Sequence, residues 1–302
     1  MSLLAFIFIF LSAVLHAGWN LIAKRSGATL AFYASICLVS CLMWIHTQFW
    51  TPIPLWGKMP PLFWYFIAAS IASDCIYGIF LLRAYKQMEM STAYPMMRAL
   101  PLLFTAFLTM ALGWGKMLRP IALLGMGVVF VGCIIMPLKE FRDFDIKAYL
   151  SKNMLTIFIV ACGTTGYTIF DSEAQKVLRS VLDPSISRAI TSMTYYSTRS
   201  ILLTSTLFVI VFLNPVSRQE LFSIIKERNR TPLYAGLFAS FAYFLVLLSM
   251  NYVTNVSFVQ VFRQMGMLLG MLGGILILKE RPGLPKYAGV TLIITGLILT
   301  LF

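Results

Sequence analysis

The chain has 302 residues, 59% of them hydrophobic and only 12% charged, with a mean hydropathy of +0.84. A soluble domain of that length cannot hide so much apolar surface, so the composition describes a polytopic membrane protein. The formal net charge of +13 comes from lysines and arginines placed singly or in short groups between apolar runs, as interfacial anchors are. It does not form the basic arm or Arg/Gly tract that nucleic-acid binding would need.

About 20 apolar residues in a helix cross a bilayer. By that measure ten spans are predicted, at 3–22, 30–49, 62–82, 92–113, 120–138, 154–171, 189–213, 232–252, 256–278 and 286–302. The runs show no apolar/polar alternation, which argues against a strand barrel. The expected fold class is an all-α polytopic membrane protein. Residues 1–22 lack a charged leading region and a small-residue cleavage site, so they read as the first span and not as a cleaved signal. The five cysteines fall inside apolar segments without a CxxC spacing and are expected to be small core residues.

Several spans carry polar residues. The first has His16, Asn20 and Lys24 at spacings of four, hence on one helical face, with Trp19 beside it. The third holds Asp74 and Tyr77. The fourth holds Tyr94 and Arg98 between Pro95 and Pro101, which are expected to bend or break the helix. The sixth carries Tyr167 and Asp171, also four apart. The seventh reads TSMTYYSTRS, with Tyr195, Tyr196 and Arg199. The ninth places Gly266, Gly270, Gly273 and Gly274 after Arg263. The 266/270/274 spacing also suits close helix packing. Two longer connections, 139–153 and 214–230, mix apolar residues with charges and could form short interfacial helices. The second begins Asn214-Pro215, a helix-start signal.

The chain aligns with itself. At an offset of 165, Arg98 meets Arg263 and Pro120 meets Pro285; one gap then puts Gly125 on Gly289 and Gly132 on Gly296. Near the start of each half Gly18 meets Gly166 and Trp19 meets Tyr167. This predicts two five-helix repeats, 1–138 and 154–302, joined by an interfacial linker, 139–153. Because five is odd, the repeats must be inserted in opposite senses, as in many secondary transporters. Connections after odd-numbered spans hold fifteen of the 24 lysines and arginines and those after even-numbered spans six. Both termini therefore lie on one side, and the count puts that side outside.

Arg98 and Arg263 are ionised groups inside apolar spans, which are functional candidates by default. Asp74, Asp171 and Glu280 are too few to neutralise Arg98, Arg263, Arg199 and Lys24. A net-positive cavity would be completed by an anionic or zwitterionic solute, because the guanidinium fork matches carboxylate and phosphate. Arg199 could instead reach the interface along its own stem. Proton coupling would need a titrating group in the pathway, for which Asp171 and His16 are the candidates. The sequence has no HExxH, no GxSxG and no P-loop, and its two histidines are far apart, so no enzyme, metal site or cofactor is expected.

HAGWNLIAKRS (16–26), AYKQMEMSTAYPMMRALPLLFTA (84–106), YTIFD (167–171) and ILKERPG (277–283) resemble the EamA-type transporters of the drug/metabolite transporter superfamily. The resemblance spans both halves as two EamA repeats. It implies a ten-helix bacterial inner-membrane carrier of a small metabolite, with a central cavity and cytoplasmic termini. That orientation disagrees with the lysine and arginine count. Two departures stand out: GWGKM (113–117) replaces the glutamate that usually closes the fourth helix, and Gln264-Met265-Gly266 follows Arg263 where the family often has an acid. The resulting expectation is a solute site of Arg98, Arg263, Trp19, Asn20, Tyr94 and Tyr167, with His16, Lys24 and Asp171 in gating or proton coupling. Its partners would be the solute and the bilayer, with no nucleic acid and no required oligomer. The competing expectation is a structural membrane protein whose buried charges only hold helices together.

Overall fold

Helix starts in this chain are written in Ser, Thr, Asn and Pro, the residues that satisfy or avoid orphan backbone donors. The computed structural model describes residues 3–26, 29–50, 57, 59–111, 119–136, 138–142, 151–249, 263 and 265–300. The helices are α1 (Leu3–Arg25), α2 (Leu30–Trp44), α3 (Pro61–Gln87), α4 (Met90–Ala111), α5 (Pro120–Ile135), α6 (Lys152–Val181), α7 (Arg188–Leu213), α8 (Pro215–Lys226), α9 (Thr231–Ser249), α10 (Met265–Leu276) and α11 (Leu284–Leu299), with a helical turn at Thr47–Trp50. Thr29, Ser151, Ser187 and Asn214 cap α2, α6, α7 and α8 by accepting backbone N–H bonds. Proline opens α3, α5 and α8. Among the described residues there is no strand.

Among the described residues, six helices are long and apolar enough to cross a membrane: Phe6–Arg25, Leu30–Phe49, Pro61–Gln87, Lys152–Val181, Arg188–Leu213 and Thr231–Ser249. The helix α6 has 30 residues, about 45 Å at 1.5 Å per residue, so it overshoots the expected 154–171. Hydropathy stops at Glu173, Lys176 and Arg179, but these suit a helix that continues into the interface. The expected interfacial helix at 214–230 is present as α8. Its counterpart at 139–153 falls largely outside the described residues, as do GWGKM (113–117) and most of the ninth span before Met265.

Two expectations need correction. Pro95 and Pro101 do not break the fourth span: both lie inside the single helix α4. Thr165 of α6 donates to the Pro101 carbonyl at 3.4 Å, a bond that ties this part of α4 to α6. Four cysteines are buried, but Cys162 is exposed, because its place on α6 faces away from the partners of Gly163.

The helices pair as α3 with α6, α1 with α9, α5 with α11, α4 with α10 and α2 with α7; α4 also meets α6, and α1 meets α10. Glycines set the closest approaches. A Cβ at Gly125 would fall 2.6 Å from the Gly296 carbonyl oxygen, and one at Gly132 2.7 Å from that of Gly289. Those contacts make α5 and α11 antiparallel and leave no room for a side chain between them. Gly132→Ala should therefore lower the melting temperature of the detergent-purified protein, by an overpacking cost of about 1–3 kcal/mol. Gly127→Ala, whose added Cβ meets nothing within 4 Å, should not.

Candidate functional site

The polar run of α7 turns inward, and Arg199 is its centre, 3% exposed. Its Nη2 donates to Asp74 Oδ2 at 2.7 Å, and its Nε donates to Asp171 Oδ1 at 2.9 Å and to Ser70 Oγ at 3.1 Å. Ser70 and Asp74 stand four apart on α3 and so share a face, while Asp171 comes from α6. The remaining carboxylate oxygens are also used. Tyr33 donates to Asp74 Oδ1 at 2.6 Å and Tyr195 to Asp171 Oδ1 at 2.6 Å; Ser70 and Tyr243 also donate to Asp171. The guanidinium carbon lies 5.8 Å from the Tyr167 ring centre and 5.4 Å from that of Tyr243, within cation–π range. Arg199 does not run to the interface, because carboxylates and aromatic faces replace water around it inside the bundle.

This cluster claims both acids of the span interiors. Among the described residues Arg98 and Arg263 have no carboxylate partner. Among the described residues, Arg98 Nη2 donates to Tyr94 Oη, at 3.3 Å, one turn back on α4. Its guanidinium carbon lies 5.3 Å from the Tyr94 ring centre. Arg263 is 5% exposed, and its Nη2 is buried with no hydrogen-bond partner among the described residues.

Two cavities flank this region. One is lined by His16, Trp19, Tyr33, Asp74, Tyr77, Tyr167, Tyr196, Arg199 and Tyr243, among others. The other, much smaller, is lined by Asn20, Tyr77, Leu81, Tyr85, Tyr94, Met97, Arg98, Thr164 and Tyr167. Tyr77 and Tyr167 belong to both; their rings meet edge to face with centroids 5.4 Å apart. Gly270 gives the Tyr94 ring its place, since a Cβ there would run into that ring.

A second charged arrangement sits at the helix ends. Lys24 Nζ donates to the Met88 carbonyl at 2.6 Å and to that of Tyr85, closing the C-terminus of α3. Glu280 accepts from the Met90 and Ser91 N–H groups, both at 2.8 Å, closing the N-terminus of α4. Lys279, with φ 58 in the left-handed region, reverses the chain after α10 and brings Glu280 back. Gly274 leaves the room, as a Cβ there would lie 2.7 Å from Glu280 Oε2. Lys286 and Glu89 pair beside it.

The structure thus gathers Arg98, Tyr94, Asn20 and Tyr167 around one cavity and His16, Trp19 and Tyr167 around the other. Arg263 is buried but is not among the lining residues of either cavity. Asn20 is already engaged: its amide donates to the His16 carbonyl at 2.6 Å, and its oxygen accepts from Tyr85 at 2.6 Å. Lys24 serves a helix end, and Asp171 serves Arg199. Sequence reading noted Asp74, Tyr77, Tyr195 and Arg199 without uniting them; the Ser70/Asp74 spacing was the available signal. Tyr33 and Tyr243 stand alone in apolar runs and carried none.

Fold and site together define the class, a multi-span helical membrane protein with charged, aromatic-lined cavities at its centre. Residues 180–302 match the model of the EamA-like transporter family. One crystal structure of a protein superposes on the chain with a TM-score of 0.58 at 14% identity, covering 98% of this chain and 96% of that chain. That likeness concerns the fold. No curated protein sequence matches.

Two predictions follow from the charge arrangement. Arg199→Gln leaves two carboxylates buried together and should cost about 3–5 kcal/mol of stability, whereas Asp74→Asn leaves Arg199 paired with Asp171 and should cost less; thermal melts in detergent rank them. Glu280→Ala strands two backbone donors and should cost about 1–3 kcal/mol, read in the same assay.

Proposed function

We propose that the protein is a secondary transporter of a small organic solute bearing an anionic group, anionic or zwitterionic overall. It works by alternating access between two inverted five-helix repeats, 1–138 and 154–302, linked by 139–153, in a bacterial inner membrane with both termini on one side. The repeat reading is supported by the helix contacts. If α1 to α5 correspond to α6, α7, α9, α10 and α11, exchanging the halves turns the α3–α6 pair into α9–α1 and the α4–α6 pair into α10–α1. It returns α5–α11, α4–α10 and α2–α7 to themselves. Gly125 aligns with Gly289 and Gly132 with Gly296, and the contacts cross, Gly125 to Gly296 and Gly132 to Gly289. A two-fold axis perpendicular to both helices, in the membrane plane, accounts for that crossing.

The observation that carries the anionic preference is that Arg98, partly buried, and Arg263, buried, have no carboxylate partner among the described residues while both span acids serve Arg199. Arginine in such a place donates two parallel hydrogen bonds to carboxylate or phosphate. Tyr94, Tyr167 and Trp19 pack the organic part, and Asn20 holds Tyr85 in the cavity wall. His16 and Asp171 are the candidates for charge movement, and Lys24 belongs to the closure at the α3–α4 turn. Purely structural charges are a fair account of Arg199, paired with two carboxylates, and of Lys24, bonded to two helix-end carbonyls, but not of Arg98 and Arg263.

The test is ligand-dependent melting. A solute at 100 times its Kd stabilises by about 2.7 kcal/mol. An anionic or zwitterionic solute should raise the melting temperature of the wild type and not of Arg98→Gln, and the variant should remain folded without counterflow in vesicles. Wild-type counterflow by Arg98→Gln would reject the role, and stabilisation by cations alone would reject the charge preference.

A further inference from the structure

We propose that a groove at the lysine- and arginine-rich end of the bundle binds an anionic phospholipid, its phosphodiester held by Arg83 and Lys86 and an acyl chain laid along the α3 face below them. The groove lies between the end of α3, the start of α2 and the start of α8. Ile79, Arg83 and Lys86 bound it on α3, Thr29 at the α2 cap, and Asn214 and Glu220 at α8. It is much roomier than either central cavity and shares no lining residue with them.

Three observations carry this. The outer side of α3 presents an exposed stripe of Ala72, Ile76, Ile79, Arg83 and Lys86, at alternating steps of four and three, hence on one face. The stripe is apolar up to Ile79 and basic beyond it, the order in which a phospholipid presents tail and headgroup. With 27 residues, α3 runs about 40 Å at 1.5 Å per residue, longer than the roughly 30 Å hydrocarbon core, so its basic end reaches headgroup depth.

The cations are also unspent. Among the described residues neither Arg83 nor Lys86 forms an ion pair. The Arg83 guanidinium carbon lies 5.9 Å from the Phe80 ring centre, which steadies it without neutralising it. Glu220 is the acid of the groove wall. Two cations facing one carboxylate leave one positive charge, which matches the single negative charge of a phosphodiester.

The other walls complete a headgroup site. The Thr29 hydroxyl accepts from the Phe32 N–H and keeps its own proton to donate. The start of α2 brings the positive end of its helix dipole, while the carbonyls that end α3 are taken by Lys24. Asn214 caps α8 through its oxygen, which leaves its amide for a headgroup hydroxyl. The connections at this end hold fifteen of the 24 lysines and arginines, a field that gathers anionic lipid around the groove. A free phosphate would use the two cations but not the apolar half of the stripe, where Ile76 and Ile79 are 46% and 40% exposed.

The experiment uses the full chain, delipidated in detergent, with phosphatidylglycerol, phosphatidylethanolamine and phosphatidylcholine of identical acyl chains, and with inorganic phosphate at constant ionic strength. The expected result is a saturable rise in melting temperature with phosphatidylglycerol, half-saturating at least tenfold below the other two lipids, and no rise with inorganic phosphate. Arg83→Gln with Lys86→Gln should remove that preference. Lys226→Gln with Arg230→Gln, which takes the same charge from the far end of α8 and the turn after it, should keep it. Should the first pair fail to fold, Arg83→Gln alone should narrow the preference at least threefold. Equal shifts by the three lipids overturn the proposal. So does a preference for phosphatidylglycerol that survives in the groove variant or is lost in the Lys226/Arg230 variant. A shift by inorganic phosphate as large as that by phosphatidylglycerol assigns the groove to a soluble anion and overturns the lipid.

Discussion

The ion cluster at Arg199 constrains everything around it. A guanidinium inside a bilayer is tolerated only where protein supplies what water would have given. Here α3 supplies Asp74 and Ser70, α6 supplies Asp171, and Tyr167 and Tyr243 supply their ring faces. The cluster therefore fixes α3, α6 and α7 in register. Ion pairs of this kind are poor sources of net stability, because desolvation offsets the Coulomb gain. Their effect is specificity: any slip of α7 against α3 or α6 would strand a charge. The same commitment decides the chemistry next door. With Asp74 and Asp171 engaged, nothing acidic within the spans is left for Arg98 and Arg263.

The caps at the α3–α4 turn apply the same physics at a helix end. The last carbonyls of α3 and the first N–H groups of α4 have no intrahelical partners. A lysine from α1 and a glutamate from beyond α10 take those places with the charge signs that the helix dipoles favour. One turn in the first half is thus held by Lys24 from its own half and by Glu280 and Lys286 from the other. The contacts are polar and lie near helix ends, so they can be exchanged for water more readily than the glycine-packed seams can open.

Much of the fold was legible because a bilayer makes length and hydropathy informative. Each described helix of membrane length falls on an expected span, and Asn214-Pro215 announced α8. Boundaries were less legible where helices outrun the hydrocarbon, as at the end of α6, since charge ends the hydropathy signal without ending the helix. The prolines of α4 misled because each removes one backbone bond without ending a helix that α6 and α10 pack against, and sequence spacing does not place those neighbours. The site was half legible. Arg98, Tyr94 and Tyr167 were found as polar residues in apolar runs and do line a cavity. The cluster itself was not, since it joins residues more than a hundred positions apart and draws on tyrosines that resemble any other aromatic in a membrane helix.

The packing also limits how such a molecule can move. Gly163 brings α6 against the Ser73 carbonyl of α3, where a Cβ would lie at 2.9 Å, and Gly18 brings α1 against Phe238 of α9, where a Cβ would lie at 2.7 Å. Each of these seams joins one half of the sequence to the other. Rocking residues 1–138 as a rigid body against 154–302 would open both and forfeit the close packing that the glycines allow. Motion that keeps them shut carries α3 with α6 and α1 with α9, two mixed bodies that exchange under the proposed two-fold. The surfaces between those bodies hold the cavities and the capped α3–α4 turn. Those surfaces are rich in side-chain contacts that can be remade, so the small residues that look like simple packing devices in the sequence decide which helices can separate around a solute.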